Sequence, residues 1–454
     1  MPMSVLGRPR PVPSTPAPQA ARPTNQSAWR SLRHGSMRLW TVVNIVSNAG
    51  TWMQMVAQNL LVLQLTGSVT MTGLSLSAQA APGLLFGFIG GAIADRYPRR
   101  LVAAIGQIAL AALAFATASL AALGFLNVAV VMVLGVLSGI VATADGPAAA
   151  LLGNELVPRE DVASAIAVGS VASNVGRLAG TALAGVTIAA AGISAAYVAN
   201  GLSFLLVAAS IPFLRRASRS EVLAEPETAV ETAAPADPSA EGFRGGLRYL
   251  TRDTALLTLV AVGLISNLLG RNYTMSMAAL VTGPLAGNAN SFGQVGTALA
   301  VGGVVGGLLA GRLRSPGTGV VVALAATAAA LQAVVGLSPA LLVVILLAIA
   351  MSAAEGATAT TAQTMVQTVP PERLRGRVLG AWRTASTGWG LAGPPALGAL
   401  LEVFGVRSGL VIGGVSTVVL LIGVHLFSLR KRNTHDAVVT PLRHREAPRL
   451  QAVA

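Results

Sequence analysis

The chain has 454 residues, of which 53% are hydrophobic and only 11% are charged, with a formal net charge of +14. Soluble domains carry about 25% charged residues, so this composition excludes a soluble enzyme or binding domain. Apolar runs of about 20 residues recur along most of the length, which is typical of membrane-spanning helices. The chain has no cysteine and four scattered histidines, so we expect no disulfide, no metal site and no cofactor.

The first 36 residues are rich in proline and arginine and contain no acidic residue. They lack the apolar region of a secretory signal peptide, and the prolines would interrupt the amphipathic helix of an organellar transit peptide. We therefore predict that residues 1–36 form a disordered basic arm on the cytoplasmic side, with a transit peptide as the alternative.

Twelve apolar segments follow, and each is long enough to cross a bilayer as a helix. They lie near residues 37–65, 71–94, 101–123, 128–150, 163–190, 193–214, 254–282, 292–313, 318–336, 340–365, 376–403 and 408–429. The predicted fold is an all-α integral membrane protein with twelve transmembrane helices in two pseudo-symmetric six-helix halves. The halves are residues 37–214 and 254–429, joined by a cytoplasmic linker over 215–253 and followed by a basic cytoplasmic tail over 430–454.

The linker contains an acidic stretch, because residues 221–241 carry six acidic residues and no basic one. This low-complexity composition predicts a flexible tether. The linker ends in FRGGLRYLTRD, where Phe243, Leu247 and Leu250 share one helical face beside three arginines. That pattern favours a short amphipathic helix on the inner membrane surface, with the start of the seventh span as the alternative.

The basic residues are distributed unevenly between the two predicted sides of the membrane. With both termini inside, 27 of the 31 Lys and Arg residues fall in cytoplasmic segments or at their edges. Arg407 alone lies in an outside loop, and three arginines lie within spans. Positive charge is retained on the cytoplasmic side of bilayers, so we predict a multi-pass protein of the cell membrane that does not bind nucleic acid.

The two halves repeat short sequence patterns in the same order. GTALAG at 180–185 corresponds to GPPALG at 393–398, and FIGGAIADR at 88–96 corresponds to VVGGLLAGR at 304–312. Internal repetition of six-span halves is the ground plan of many secondary transporters.

The stretch GGAIADRYPRR at 90–100 lies between the second and third spans. Its residues Gly91, Asp95, Arg96, Arg99 and Arg100 resemble the motif of the major facilitator superfamily at this loop. The stretch departs from that motif at Pro98, where the family usually has glycine. The resemblance covers residues 37–430 and implies a cytoplasmic gate, in which the motif acid and arginines hold the two halves together in the outward-open state. It implies that the eleventh span, which begins near Gly376, is the partner.

Within the superfamily, the chain most resembles the enterobactin-exporter and macrolide-efflux-like branch. The resemblance is carried by DGPAAALLGNELVPREDVASAIAVGS at 145–170 and RGRVLGAW at 375–382. It implies export, whereas the physical pattern alone would also allow import. Thr181 stands where the antiporter signature of the fifth span has proline.

Two acids lie inside predicted spans, Asp145 in the fourth and Glu355 in the tenth. A charge near the bilayer centre costs about 2.5–3.5 kcal/mol on insertion scales, so each acid is a candidate functional residue. A carboxylate in a cavity of low dielectric constant can exchange protons near neutral pH, as coupling to a proton gradient requires. The alternative is a structural role, with Glu355 paired to Arg383 and Asp145 paired to Arg177.

Polar residues form matching stripes in the first and seventh spans, and we predict that they line a central substrate cavity. They are Asn44, Asn48, Thr51 and Gln58 in the first span, and Asn267, Arg271 and Thr274 in the seventh. The alternative is hydrogen bonding between helices. Arg271 could attract an anionic substrate group or pair with a carboxylate. Trp52, Trp382 and Trp389 could stack on flat substrates.

The sequence lacks a phosphate-binding G-x-x-x-x-G-K-[ST] loop and a nucleophile–base constellation, so we expect no enzyme activity. We predict a monomeric secondary transporter that exports a small, partly apolar molecule such as a drug, siderophore or secondary metabolite. The proton gradient would supply the energy through antiport and alternating access. The alternatives are a uniporter or importer of the same fold, and a non-transporting membrane sensor or assembly protein.

Overall fold

The computed structural model describes residues 29–215, 248–313 and 317–443, and its regular elements over these ranges are helices. After a 3-10 turn at Arg30–Arg33, the helices are α1 Gly35–Thr66, α2 Val69–Arg96, α3 Arg99–Ala122, α4 Val128–Asn154, α5 Val162–Ser210, α6 Thr254–Leu269, α7 Tyr273–Thr282, α8 Ala289–Ala310, α9 Thr318–Gly336, α10 Leu341–Thr368, α11 Glu372–Phe404 and α12 Val406–Arg443. The predicted N-terminal arm lies almost wholly outside the described residues, as do the acidic stretch and the end of the basic tail.

Helix α5 contains two spans that reverse direction at Gly192. The backbone there adopts φ 79° and ψ 175°, a conformation that glycine adopts without a Cβ clash. Both arms contact the same part of α1, because Ala49 lies against Gly180 while Gln54 accepts a hydrogen bond from Asn200 at 2.7 Å. A straight helix would separate residues 180 and 200 by about 30 Å, so α5 is a helical hairpin.

Helices α6 and α7 together form the seventh span. They are separated by Gly270, Arg271 and Asn272, and Gly270 leaves the helical conformation at φ −148° and ψ −44°. With α5 counted as two spans and α6–α7 as one, the described helices are consistent with the twelve predicted spans. Eight described helices are apolar enough to span on length and composition alone, and α2 qualifies as a bent pair; α1 and α11 carry too many polar or charged residues for that test.

The repeat seen in the sequence is also present in the packing. Gly405 turns the chain between α11 and α12 with φ 79° and ψ 152°, as Gly192 does between the arms of α5. Gly180 on α5 lies against α1, and Gly393 on α11 lies against α6. Across the halves, α5 contacts α8 and α11 contacts α2. The two halves are therefore packed by equivalent helix pairs.

The two ends of the helix bundle differ in charge and in packing. We call the end that carries Arg38, Arg96 and Arg430 the basic end, and the end with the glycine turns the neutral end. At the neutral end, one apolar cluster joins both halves through residues such as Leu60, Phe292 and Leu397. Among the described residues, the two clusters at the basic end each belong to one half only. The halves are thus closed at the neutral end and separate at the basic end.

Residues 248–252 form a helical turn before α6. Asp253 ends this turn and caps α6, because its Oδ1 accepts hydrogen bonds from the amides of Ala255 and Leu256 at 2.9 and 3.0 Å. Leu250 is buried in the apolar cluster of the C-terminal half. The turn is therefore separate from the seventh span, whereas its predicted continuation over 243–247 lies outside the described residues.

Candidate transport cavities and gate

A cavity of about 680 Å³ lies between the two halves. It is bounded by Trp52 of α1, the first arm of α5, the α6–α7 break, α8 and α10. Cavities of about 300–1,000 Å³ hold drug-sized ligands. The cluster that joins the halves closes its neutral-end side, and we call this space the interface cavity.

An ion pair between the α6–α7 break and helix α10 borders the interface cavity. Arg271 Nε lies 2.6 Å from Glu355 Oε1, and the carboxylate side chain is 13% exposed while that of Arg271 is 40% exposed. The break between α6 and α7 places Arg271 outside regular helix, so its side chain can reach α10. The suggested pairing of Glu355 with Arg383 is wrong: Arg383 is exposed on α11 and lines neither cavity.

Arg177 extends from the first arm of α5 into the same cavity. Its guanidinium carbon lies 5.7 Å from the centroid of the Trp52 ring, and Nη2 lies 3.4 Å from Asn174 Oδ1. A Cβ built at Gly303 of α8 would lie 3.1 Å from Arg177 Nη2, so the guanidinium spans the boundary between the halves. Among the described residues, Arg177 pairs with no carboxylate.

A second cavity of about 430 Å³ lies within the N-terminal half, between α1, α2, α3, α4 and the second arm of α5. We call it the amide cavity, because glutamines and asparagines dominate its polar lining. Asp145 lies in it, and Asp145 Oδ2 accepts a hydrogen bond from Gln107 Nε2 at 2.8 Å. The suggested pairing of Asp145 with Arg177 is therefore also wrong, since the two line different cavities.

Several buried polar atoms in the amide cavity have no hydrogen-bond partner in the described chain. They are Gln58 Nε2, Gln107 Oε1 and Asp145 Oδ1. Asp145 is the one charged residue in the described lining of this cavity. Because unpaired buried polar atoms are costly, this cavity is suited to water or to a polar or cationic guest.

The predicted polar stripes divide between the two cavities and the helix packing. Asn48, Thr51 and Gln58 line the amide cavity, while Arg271 and Thr274 line the interface cavity. Asn44 and Asn267 line neither, and their amides donate to carbonyls four residues earlier at 2.8 and 2.9 Å. Both bonds lie within one helix, so neither the cavity prediction nor the alternative of hydrogen bonding between helices describes Asn44 and Asn267; Asn48 and Thr51 also donate to their own helix.

Of the three tryptophans predicted to stack on substrate, one lines a cavity and two pack between helices. Trp52 lines the interface cavity, as predicted. Trp382 and Trp389 do not: their rings contact each other edge to face at 5.5 Å, and Trp389 is buried against Gly263 of α6. They pack α11 on α6 within the C-terminal half.

The loop motif lies at the basic end, where the halves are apart. Arg99 pairs with Glu155 at the end of α4, and Arg100 Nη2 donates to the carbonyl of Leu214 at 2.6 Å. These two arginines therefore tie the N-terminal half together. Asp95 and Arg96 are exposed and make no hydrogen bond or ion pair with any described residue, and Gly91 has open space beside its Cα.

Sequence reasoning missed several polar residues of both cavities and one contact between the halves. Gln79 and Gln107 could have been found, because each is an amide within an apolar run. Glu402 of α11 was also missed: its Oε2 accepts from Ser68 Oγ at 2.7 Å and from the amide of Thr70 at 3.2 Å, at the start of α2. This contact joins the halves at the neutral end.

Comparison with known proteins agrees with this geometry. Residues 26–453 match the family described as transmembrane secretion effector. The multidrug efflux pump Tap of Mycolicibacterium fortuitum is 28% identical over 423 residues, covering 90% of this chain and 99% of Tap. The enterobactin exporter EntS of Shigella flexneri is 25% identical over 376 residues, covering 81% of this chain and 85% of EntS.

Solved structures share the fold at lower identity. A bacterial homologue of the human lysosomal transporter Spinster superposes with a TM-score of 0.64 at 16% identity, covering 87% of this chain and 95% of that one. The nucleoside transporter NupG superposes with a TM-score of 0.67 at 12% identity, covering 86% and 98%. The chain is therefore a multi-pass membrane transporter, not an enzyme, and it belongs to the transmembrane secretion effector family of the major facilitator superfamily.

Proposed function

We propose that the protein exports a small, partly apolar molecule across the cell membrane in exchange for protons. The observation that carries this proposal is the Glu355–Arg271 pair, which borders a drug-sized cavity between the halves. A carboxylate that can gain a proton and a cation that can lose its partner lie together at the place where a substrate would bind. The efflux and siderophore exporters among the relatives agree with export.

Proton exchange at Glu355 would alternate with substrate binding. When Glu355 takes up a proton, its charge falls to zero and the attraction that holds Arg271 at 2.6 Å is lost. The freed Arg271 lies in a break between helices and can move, which would change the lining of the interface cavity and lower its affinity for a substrate bound while Glu355 is ionised. After the protonated protein returns to the other conformation, loss of the proton would restore the ion pair and the substrate site, which completes one exchange.

Asp145 would serve as a second exchangeable acid. It faces water-accessible space in the amide cavity, and no arginine in the described lining holds it in the charged form. Asp145 lies in the N-terminal half, so its access to water and protons would depend on the conformation of that half. Comparison of Glu355→Gln with Asp145→Asn separates the contributions of the two acids to proton coupling.

Alternating access would then be controlled at both ends. If the basic end faces the cytoplasm, as the distribution of arginines favours, both termini are cytoplasmic and this conformation is open inward. Asp95 and Arg96 would engage the C-terminal half only after the basic end closes. Their exposure here supports this proposal, because a gate that acts in the outward-open state must be released in the inward-open one.

The proposed exchange can be measured in liposomes that contain the purified protein and a pH-sensitive dye. With an imposed proton gradient, we expect some hydrophobic antibiotics or siderophores to trigger proton movement and to be transported. A sodium gradient of the same size serves as the control. Transport that ignores the proton gradient would establish a uniporter and contradict antiport, and transport driven only by sodium would change the coupling ion.

Glu402→Gln should weaken closure of the neutral end. Glutamine cannot offer a charged oxygen to Ser68 and Thr70, and for an exposed group this loss is worth about 1 kcal/mol or less. We expect up to a fivefold rise in the population open at that end. The chain has no cysteine, so spin labels at Leu123→Cys and Leu337→Cys can report the distance between the halves.

The matched control is Glu160→Gln, because Glu160 pairs with Arg30 at the opposite end and within one half. It should leave the label distance unchanged. An unchanged distance in Glu402→Gln as well would contradict a role for Glu402 in closure.

A further inference from the structure

The interface cavity carries an excess of positive charge. Its described lining contains two arginines, Arg177 and Arg271, and one acid, Glu355. Because Glu355 is already paired with Arg271 at 2.6 Å, the guanidinium of Arg177 is the uncompensated charge. An unpaired cation at membrane depth is unfavourable unless a ligand or partner completes it.

The surroundings of Arg177 are arranged to hold a planar, acidic group. The guanidinium carbon lies over the Trp52 ring, 5.7 Å from the ring centroid, within the range of a cation–π contact. Asn174 Oδ1 lies 3.4 Å from Nη2, and Ser352 of α10 lies in the same part of the cavity. Arginine presents its donors as a rigid fork that matches a carboxylate with two parallel hydrogen bonds.

The position of Gly303 shows why this arrangement depends on both halves. A Cβ at Gly303 would lie 3.1 and 3.5 Å from the two terminal nitrogens of Arg177 and 3.4 Å from Ser352 Oγ. Because Gly303 has no side chain, Arg177 of the N-terminal half can reach α8 of the C-terminal half at this position. A group bound to Arg177 would contact both halves, so its affinity would depend on their separation.

The rest of the lining is apolar over most of its extent, with Val171, Val175, Leu178, Val304 and Leu308 among the contributors. Such a surface would accept the body of a substrate, while the guanidinium would hold its charged end. The cavity volume of about 680 Å³ leaves room for an aromatic body in addition to the acidic group.

We propose that Arg177 and Trp52 form an anion subsite, and that the substrate of this transporter is an aromatic or otherwise apolar molecule bearing an acidic group. This inference rests on the proposed function and specifies its substrate class. Arg271 was the sequence-based candidate for the anion contact, and the ion pair with Glu355 moves that role to Arg177.

Binding of matched probes in the absence of any gradient tests the subsite. The probes are benzoate, naphthoate and pyrenebutyrate, each compared with its primary amide on purified protein in nanodiscs. We expect at least one carboxylate to bind about tenfold or more tightly than its amide. Arg177→Gln should remove this preference, and Arg177→Lys should keep part of it because the charge remains.

Arg383→Gln is the control, since this variant removes an arginine that lies within a span but outside both cavities. It should leave the preference unchanged, and melting temperatures identify any variant that fails to fold. Equal binding of all acids and amides, failure of every carboxylate to bind, or a preference that survives in Arg177→Gln would overturn the subsite.

The outcomes also separate this inference from the proposed function. Proton-coupled export of uncharged compounds without an acid preference would sustain the function and reject the subsite. A carboxylate preference that depends on Arg177, with no proton-coupled movement of any compound, would sustain the subsite and reject antiport.

Discussion

Glu355→Gln should abolish substrate-driven proton movement in liposomes. Glutamine has nearly the same shape but cannot gain or lose a proton near neutral pH, so the exchange at the interface cavity has no carrier. Substrate should still equilibrate down its own gradient, because the cavity and Arg177 are retained. We expect the proton signal to fall to the background of empty vesicles, while exchange of labelled against unlabelled substrate continues.

Two variants identify the acid responsible. Glu160→Gln removes an exposed carboxylate at the basic end, and it should leave both signals unchanged. Asp145→Asn removes the acid of the amide cavity. If Asp145→Asn abolishes proton movement and Glu355→Gln does not, the coupling acid is Asp145 and the Glu355–Arg271 pair is structural.

The same pair should be visible in stability measurements. Glu355→Gln leaves Arg271 without a counter-ion, and Arg271→Gln leaves a carboxylate that is 13% exposed without one. Breaking a buried pair costs about 3–5 kcal/mol, and the partial exposure of Arg271 reduces this effect. The double variant should therefore be more stable than the sum of the two single changes predicts, which a double-mutant cycle of thermal unfolding measures.

The spans could be predicted from the sequence because apolar length and turn residues are local signals. Most predicted and observed boundaries agree within a few residues, for example at 318–336 for α9, whereas α12 continues to Arg443 beyond the predicted end at 429. The partner of Glu355 could not be predicted, because estimated depth gives no information on which face of each helix meets which neighbour. Arg383 and Arg271 both lie on spans near α10, and only the break at Gly270 turns Arg271 toward Glu355.

The candidate site shows the same limit. The intramembrane charges were visible in the sequence, since each is rare in an apolar run. Their division between two cavities was not, because it depends on how α1 packs: Trp52 faces one cavity and Thr51 the other. Glu402 is visible in the sequence as an acid near the end of a span. Its contact with Ser68 could not be predicted, because that contact depends on how the two halves pack together.

Gly185→Val should prevent closure of the neutral end and reduce transport strongly. A Cβ at Gly185 would lie 2.6 Å from the Cα of Gly293 on α8, closer than carbon atoms approach. The atoms nearest to this Cβ belong to the backbone of Ala289 and Gly293 on α8, which cannot turn aside as a flexible side chain could. Overpacking of this kind costs about 1–3 kcal/mol, so the closed population should fall by about fivefold to more than a hundredfold.

The control is Gly169→Val on the same arm of α5, where no atom lies within 4 Å of an added Cβ. Both variants make the same chemical change in the same helix, so any difference reflects the contact with α8. Labels at Leu123→Cys and Leu337→Cys should move apart only in Gly185→Val, and Gly185→Ala should give a smaller change of the same sign. Since the clash is relieved when the halves separate, the protein can fold while losing one conformation. Unimpaired export by Gly185→Val would mean that this conformation is not part of the transport cycle.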